Sequence, residues 1–207
     1  TLCNNHDETG ENPMWDDRRG MLFWTDIPRG LLWAFDPATG EVEQIYEGDP
    51  VGGFTLQEDD ALLLFRVNDI AKFNPETGNV TSIIAFADEG VPRFNDVIAG
   101  PDGSVLAGTM GRDNRGGLYH VTTDGRITNL WRGTNCSNGM ALTEDRKTLY
   151  WTDSPGRAIY ACDYDEATGI PTRRDTVVTI DESNVPDGMT IDTEGNLLSA
   201  RWDGHGI

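Results

Sequence analysis

Residues 137–153 contain the hydrophobic pattern around which the chain is organised. The polar pair Asn138-Gly139 opens an apolar run at 140–142, a charged segment follows at 144–147, and a second apolar run occupies 149–151. Two short apolar runs rich in aromatic residues, separated by charged residues, are typical of two strands and a turn. The stretch therefore predicts a strand, a turn and a second strand.

The second half of this pattern recurs along the chain. Apolar runs that end in a small, polar or charged residue begin at positions 22, 62, 105, 149 and 197, which lie 40, 43, 44 and 48 residues apart. A turn of charged residues or glycine precedes each run. A fixed period of this length indicates a repeated supersecondary unit.

Each of the first four repeats contains two further strand signals. In the first repeat they lie at 30–35 and 42–46, and residues 36–40, Asp-Pro-Ala-Thr-Gly, join them. Turns at 74–78, 122–125 and 165–169 occupy the same position in the later repeats. Proline favours an early turn position and glycine supplies a positive φ late in the turn. Four antiparallel strands per repeat are typical of a β-propeller blade.

The repeats predict an all-β chain that forms a single β-propeller domain over residues 1–207. No segment has helical periodicity over three turns, and the chain supplies about four and a half blades of four antiparallel strands. An incomplete ring leaves two unpaired sheet edges. We therefore expect that the sequence is truncated at its C-terminus.

The charge argues against two classes of partner. The chain has 35 acidic and 16 basic residues and a net charge of −19, whereas nucleic acids and anionic membranes attract positive charge. No apolar run approaches the roughly 20 residues of a membrane span. The acidity fits either an ordinary acidic soluble enzyme or a protein from a high-salt cytoplasm, where carboxylates keep a protein surface hydrated.

The cysteines favour a reducing compartment. Cys3, Cys136 and Cys162 are three in number and cannot all pair within one chain, and no Cys-x-x-Cys motif occurs. Free thiols are the simplest interpretation. We therefore expect a cytoplasmic protein.

The residues that lead the first strand of each repeat are the strongest candidates for chemistry. Four of these strands begin with Glu11, Asn95, Asn138 and Asp187, and the remaining one begins with the Val-Gly-Gly segment 51–53. First strands line the central channel of a propeller, so these side chains are expected at one level around one axis. Their oxygens suit a divalent cation such as Ca²⁺, Mg²⁺ or Mn²⁺. Alternatively, Asn-Gly and Asp-Gly are simply turn pairs that need a positive φ.

Two further residues are candidates for the same opening. Arg93 lies two residues before Asn95, and side chains two apart in an extended segment point the same way. Its guanidinium group could fork onto a carboxylate or sugar hydroxyls, or form a surface ion pair. Asp113 lies in the loop 111–117 and either lines this opening or is a solvated loop acid. His120 is expected to be a satisfied structural histidine, and no Ser-His-Asp order is evident.

Five motifs together resemble those of the regucalcin (senescence marker protein)/gluconolactonase family. The resemblance covers nearly the whole chain, and the motifs match in order and spacing. They are Gly10-Glu11-Asn12-Pro13-Met14-Trp15, Arg93-Phe94-Asn95-Asp96, Ala107-Gly108-Thr109-Met110, Ser137-Asn138-Gly139 and Pro186-Asp187-Gly188-Met189. The resemblance implies a complete fold of six blades that binds one divalent metal and hydrolyses sugar lactones.

The resemblance also implies roles for individual residues. Metal ligation is implied for Glu11, Asn138 and Asp187, and Asp187 is also the expected general acid and base. Substrate contacts are implied for Arg93, Asn95 and Asp113. The expected metal is Ca²⁺, with Zn²⁺, Mn²⁺, Mg²⁺ and Fe²⁺ also compatible with oxygen ligands, and the expected partner is a small sugar lactone. Two features depart from the pattern, since Val97 stands where glycine is usual and the chain stops before the last blade.

Three other functions remain open from the sequence. The segments Phe-Trp-Thr-Asp at 23–26 and Leu-Tyr-Trp-Thr-Asp at 149–153 resemble the repeats of receptor propellers that act as protein-interaction modules. A calcium-binding regulator without turnover is a second alternative, and a hydrolase of organophosphates or aryl esters is a third. The ordered set of Glu11, Asn138 and Asp187 favours the lactonase.

Overall fold

A computed structural model describes residues 5–181 and 183–207 of the chain, and these residues form 18 β-strands. They divide into two compact units, one ending at Ala87 and the other beginning at Asp88, and each unit is described by itself. Within the described ranges, no helix has the length and apolar character that a membrane crossing requires. Cys136 and Cys162 carry free thiols, and Cys3 lies outside the described residues.

The first unit contains two four-stranded antiparallel sheets in which consecutive strands are neighbours. The strands of the first sheet are β1 (Gly10–Asp16), β2 (Met21–Asp26), β3 (Leu31–Asp36) and β4 (Glu41–Glu47). Those of the second are β5 (Gly53–Leu56), β6 (Leu62–Phe65), β7 (Asp69–Phe73) and β8 (Val80–Ala85). Phe23, Leu32, Phe54 and Leu64 are fully buried and pack in one core.

The second unit contains two more sheets of the same kind and a two-stranded sheet. The strands of the third sheet are β9 (Arg93–Ala99), β10 (Val105–Met110), β11 (Gly116–Val121) and β12 (Ile127–Thr134). The fourth sheet and the pair comprise β13 (Ser137–Leu142), β14 (Thr148–Asp153), β15 (Ala158–Asp165), β16 (Ile170–Thr179), β17 (Val185–Ile191) and β18 (Leu197–Trp202). Their core includes Leu118, Leu149 and Trp151.

The turns between third and fourth strands form as the repeat predicts. Gly40, Gly78, Gly125 and Gly169 all have a positive φ. Each donates its backbone N–H to a carbonyl three or four residues earlier, as Gly40 does to Asp36 at 2.7 Å. Because glycine has no side chain to clash at a positive φ, these turns connect the third and fourth strands without backbone strain. The predicted all-β fold of four-stranded antiparallel propeller blades is confirmed; that residues 1–207 form one domain stays a prediction.

The first strands differ from one another in their pairing. The pairing of β5 with β6 is regular, whereas a register shift interrupts β1 next to Glu11 and also interrupts β9, β13 and β17. An extra residue in one strand of an antiparallel pair is a β-bulge, which bends the strand and re-aims its side chains. The bulged strands are the ones whose leading residues are polar.

Candidate functional site

The second unit places three of the predicted site residues at or beside β-bulges. In β9, Asn95 and Asp96 together lie opposite the single residue Gly108. In β17, Asp187 and its neighbour Gly188 lie opposite Ala200. In β13, the extra residue is Gly139, which directly follows Asn138. The bulges therefore determine where these polar side chains point.

All three side chains are buried. The exposed fractions are 5% for Asn95, 7% for Asn138 and 8% for Asp187. A buried amide or carboxylate costs free energy unless it is hydrogen-bonded or paired with a charge. These residues therefore need partners, and the structure supplies most of them from neighbouring strands.

The interpretation of Asn138-Gly139 and Asp187-Gly188 as turn pairs is wrong. Both pairs lie inside strands, and neither glycine has a φ in the left-handed region. Gly139 is required for a different reason, because a methyl group added there would lie 2.6 Å from the Asp187 carbonyl oxygen. The glycine allows the backbones of β13 and β17 to approach closely.

A chain of hydrogen bonds connects four segments of the second unit. Arg93 Nη1 donates to Asn95 Oδ1 at 2.7 Å, and Asn95 Nδ2 donates to Asn138 Oδ1 at 3.2 Å. Asn138 Nδ2 then donates to Ser154 Oγ at 3.0 Å, and Ser154 Oγ donates to the Pro186 carbonyl at 2.6 Å. We call these five residues the amide relay. It joins β9, β13 and β17 at the candidate site.

Other contacts support the relay from the side. Asn95 Nδ2 also donates to the Ser137 carbonyl at 3.0 Å, and Ser137 Oγ accepts from Trp151 Nε1 at 2.7 Å. The Cys136 sulfur lies 3.6 Å from the side-chain nitrogens of both Asn95 and Asn138. Trp151 itself is buried and stacks with Tyr160, so it anchors the blade while its indole N–H fixes the strand that carries Asn138.

Two carboxyl groups of the site have raised pKa values. Burial raises the pKa of Asp187, and hydrogen bonds from the Asn138 side chain and the Gly188 backbone act in the opposite direction. The pKa of Asp96 is raised to about 7, first by burial and then by the negative charge of Asp187, while the positive charge of Arg93 acts in the opposite direction. Two carboxylates held close in a buried region disfavour each other's ionisation. Such a region is favourable for a cation.

The sequence reasoning did not assign a role to Asp96. It follows Asn95 directly, and in a regular strand it would face away from the site. The bulge in β9 places Asn95 and Asp96 together opposite one residue, and the pKa of Asp96 responds to Asp187.

The donors present fit a hard divalent cation. The amide oxygen of Asn138 accepts one hydrogen bond from Asn95 and has a second lone pair available. Asp187 offers a buried carboxylate. Oxygen donors with negative charge are the ligands that Ca²⁺, Mg²⁺ and Mn²⁺ prefer. Among the described residues, no three His, Cys, Asp or Glu side chains group as a metal site by themselves.

The remaining candidate residues have different surroundings. Glu11 lies in β1 of the first unit, opposite Thr25 and next to the bulge of that strand. Arg93 donates to Asn95, to the Phe94 carbonyl and to Met110 Sδ. Asp113 is exposed in the loop before β11, with a φ of 53°, and is not part of the amide relay.

Comparisons with known proteins identify a matching family and similar relatives. The family model described as SMP-30/Gluconolactonase/LRE-like region matches residues 9–207. Pentonolactonase XacC of Haloferax volcanii is 38% identical over 204 residues, which are 94% of this chain and 67% of that protein. Regucalcin of Xenopus laevis is 34% identical over 206 residues, 94% of this chain and 69% of its own length.

A solved structure agrees with the fold. The crystal structure of the calcium-binding protein regucalcin from Agrobacterium tumefaciens matches with a TM-score of 0.86 and 25% sequence identity. The match covers 96% of this chain and 72% of that one. The arrangement of strands described above is therefore shared with an experimentally determined propeller.

Proposed function

Because the chain belongs to the SMP-30/gluconolactonase/LRE-like family, we propose that it is a lactonase that opens a sugar lactone with the help of one divalent cation. The buried pair of oxygen donors, Asn138 and Asp187, is the observation that carries this proposal. A relative that is 38% identical is named a pentonolactonase, which supports a lactone as the substrate class.

The cation would be held by Glu11, Asn138 and Asp187, with Ca²⁺ as the expected ion and Zn²⁺, Mn²⁺, Mg²⁺ or Fe²⁺ as alternatives. When bound, a divalent cation supplies Lewis-acid polarisation of a carbonyl group and lowers the pKa of water. Asn138 contributes a neutral oxygen and the two carboxylates contribute charge. The remaining chemistry belongs to side chains of the protein.

Asp187 is the proposed general acid and base. Its carboxylate oxygen takes a proton from the water that attacks the lactone carbonyl carbon, and returns it to the ring oxygen as the carbon–oxygen bond breaks. The products are one hydroxyl group and one carboxylic acid, so the reaction releases a proton at neutral pH.

Arg93, Asn95 and Asp113 are proposed to contact the sugar hydroxyls. The hydrogen bond from Arg93 fixes the Asn95 amide before any substrate arrives, and fixed polar groups orient a substrate at low entropic cost. Asp113 would approach the substrate from an exposed loop. We also propose that the protein works in the cytoplasm, because Cys136 and Cys162 are free thiols.

A calcium-binding role without turnover is the second candidate. The solved structure with a TM-score of 0.86 is described as a calcium-binding protein. Such a protein would use the same oxygen donors to hold the ion but would release no acid from lactones. Measuring acid release separates the two roles.

The test is a pH-stat assay over a panel of aldonolactones with wild-type protein, with and without a chelator. We expect acid release that the chelator abolishes and that added Ca²⁺ or Mn²⁺ restores. Asp187→Asn keeps an oxygen ligand but removes the base, so kcat should fall about 10²- to 10⁴-fold. Asp187→Ala should in addition weaken metal binding.

Asp192→Asn is the matched control, because it removes a carboxylate from the turn that follows β17, outside the site. Its kcat should equal that of the wild type. Full activity of Asp187→Ala, or of protein stripped of metal, would refute the proposed mechanism. Metal binding without any acid release would favour the calcium-binding role.

A further inference from the structure

Ser154 forms the junction between the two buried donors of the candidate site. It directly follows β14, and its side chain is 5% exposed. Its hydroxyl oxygen accepts from Asn138 Nδ2 at 3.0 Å, and its O–H group donates to the Pro186 carbonyl at 2.6 Å. Pro186 is the residue immediately before Asp187. One hydroxyl group therefore connects the side chain of Asn138 to the backbone that carries Asp187.

The chemistry of these partners fixes the direction of each hydrogen bond. A backbone carbonyl only accepts, so the single hydroxyl proton of Ser154 is committed to Pro186. The lone pairs of Ser154 Oγ then face Asn138, and only the NH₂ end of the Asn138 amide can donate to them. The oxygen of Asn138 must consequently lie at the opposite end of the amide.

The other end of the amide relay enforces the same direction. A guanidinium group only donates, so Arg93 can face only the oxygen of Asn95. The NH₂ group of Asn95 is then directed to Asn138 Oδ1 and to the Ser137 carbonyl. A donor at one end and an acceptor at the other leave one consistent orientation for both amides.

We propose that Ser154 is a positioning residue that holds the Asn138 oxygen in the orientation required of a metal ligand. This inference rests on the proposed function, since it concerns the same cation site. Without the hydroxyl, the Nδ2 group of Asn138 and the Pro186 carbonyl lose their mutual partner, and the orientation of the amide is held only by its remaining contacts with Asn95, Cys136 and Asp187. Partners that orient a metal ligand typically change metal affinity about 10- to 100-fold when they are removed.

The experiment compares Ser154→Ala, Ser154→Thr and Ser104→Ala by calorimetric titration with Ca²⁺ and with Mn²⁺. Ser154→Ala should bind the ions about 10- to 100-fold more weakly. Ser154→Thr keeps the hydroxyl group and should restore most of the affinity. Ser104→Ala is the matched control, because Ser104 is equally buried but donates to Asp102 Oδ1 at 2.7 Å, outside the relay. It should bind metal like the wild type.

A second readout is independent of both metal and turnover. Hydrogen exchange of the Asn138 side-chain NH₂ protons, followed by NMR in metal-free protein, should be slow in the wild type and in Ser154→Thr. It should accelerate about tenfold in Ser154→Ala, because the NH₂ group loses its hydroxyl acceptor and keeps only the Cys136 sulfur at 3.6 Å and the Asp187 carboxylate. If Ser154→Ala fails to fold, Ser154→Cys keeps the volume with a weak donor and should give the same two changes.

The outcomes separate the two proposals. A wild type that binds metal, with Ser154→Ala binding equally well or protecting the Asn138 protons equally well, overturns the role of Ser154. A wild type that neither binds metal nor hydrolyses lactones overturns the proposed function, and the exchange of the Asn138 protons then still decides whether Ser154 orients the amide. If the wild type is active, Ser154→Ala should change KM and the metal concentration needed for half-maximal activity more than it changes kcat measured at saturating metal.

Discussion

Two polar regions of the second unit differ in how their buried groups are satisfied. The amide relay joins β9, β13 and β17, and every one of its side-chain groups named above has a partner. The second region, Asp102, Ser104, His120 and Tyr164, adjoins the turn that follows β9, and we call it the turn cluster. In the turn cluster, His120 Nε2 and Tyr164 Oη are buried without a hydrogen-bond partner among the described residues.

The difference indicates what each region contributes. A fully satisfied buried network is rigid and holds a single arrangement, as a preorganised binding site requires. An unsatisfied buried polar group only lowers stability. The turn cluster also packs tightly against glycine, because a methyl group added at Gly169 would lie 2.5 Å from Ser104 Oγ and 2.9 Å from His120 Nε2. Removing a polar group should therefore be harmful in the amide relay, whereas removing an unsatisfied polar group of the turn cluster should cost little or no stability.

The largest effect is expected from Gly139→Ala, which disrupts the strand contact beneath the relay. The added methyl group would lie 2.6 Å from the Asp187 carbonyl oxygen, and backbone cannot give way as a flexible side chain can. We expect a loss of about 3 kcal/mol in the free energy of unfolding, at the upper end for overpacking. Urea unfolding measures the stability, and metal titration should show a weakened site.

Gly188→Ala is the matched control at the neighbouring bulge. The nearest atom to an added methyl group there is Asp96 Oδ2 at 3.9 Å, an ordinary contact, and the φ of Gly188 is not in the left-handed region. The free energy of unfolding should change by no more than ~0.5 kcal/mol. Equal destabilisation by both substitutions would show that close approach of β17 is not the reason for Gly139.

The next effect compares two buried tyrosines of the second unit. Tyr119 Oη donates to Asp88 Oδ2 at 2.7 Å, whereas Tyr164 Oη has no partner among the described residues. Tyr119→Phe should lower the free energy of unfolding by about 1.5–3 kcal/mol, as expected for a hydrogen bond to a charged group. Tyr164→Phe should be neutral or slightly stabilising. A cost above ~1 kcal/mol for Tyr164→Phe would mean that its hydroxyl has a partner such as a bound water.

The fold could be predicted from the sequence because its signals are local and repeated. A turn such as 36–40 carries its proline and its positive-φ glycine within five residues, and the spacing of the apolar runs counts the blades. The predicted second strands at 22–26 and 149–153 match β2 and β14 to within one residue at each end. Strand pairing in this fold is between neighbours in the chain, so local signals suffice.

The site was predictable in part. Asn95, Asn138 and Asp187 were predicted because equivalent positions of successive repeats carry polar residues, and the structure buries all three. The hydrogen bonds of Ser154 were not predictable, since one of them goes to a carbonyl 32 residues away. The need for glycine at position 139 depends on the close approach of β17. Bulges that place Asp96 beside Asn95 leave no signal in a single sequence, because they arise from how two strands pair.

The smallest effect is a pH dependence that arises in the turn cluster. Burial lowers the pKa of His120, the nearby negative charge of Asp102 raises it, and Arg126 lowers it. Since the pKa in the folded state is below the ordinary value of about 6.5, the unfolded chain binds more protons, and stability is lost as the pH falls through that value.

His120→Phe removes this titration while retaining a buried ring. The free energy of unfolding of the wild type, minus that of His120→Phe, should therefore be constant above about pH 7.5 and decrease between about pH 7 and pH 5.5. Groups that both proteins share, among them Asp96 with its pKa of about 7, cancel in this difference. An increase of the difference at acid pH would mean that protonated His120 has an acidic partner in the folded state, and that the turn cluster is as well satisfied as the amide relay.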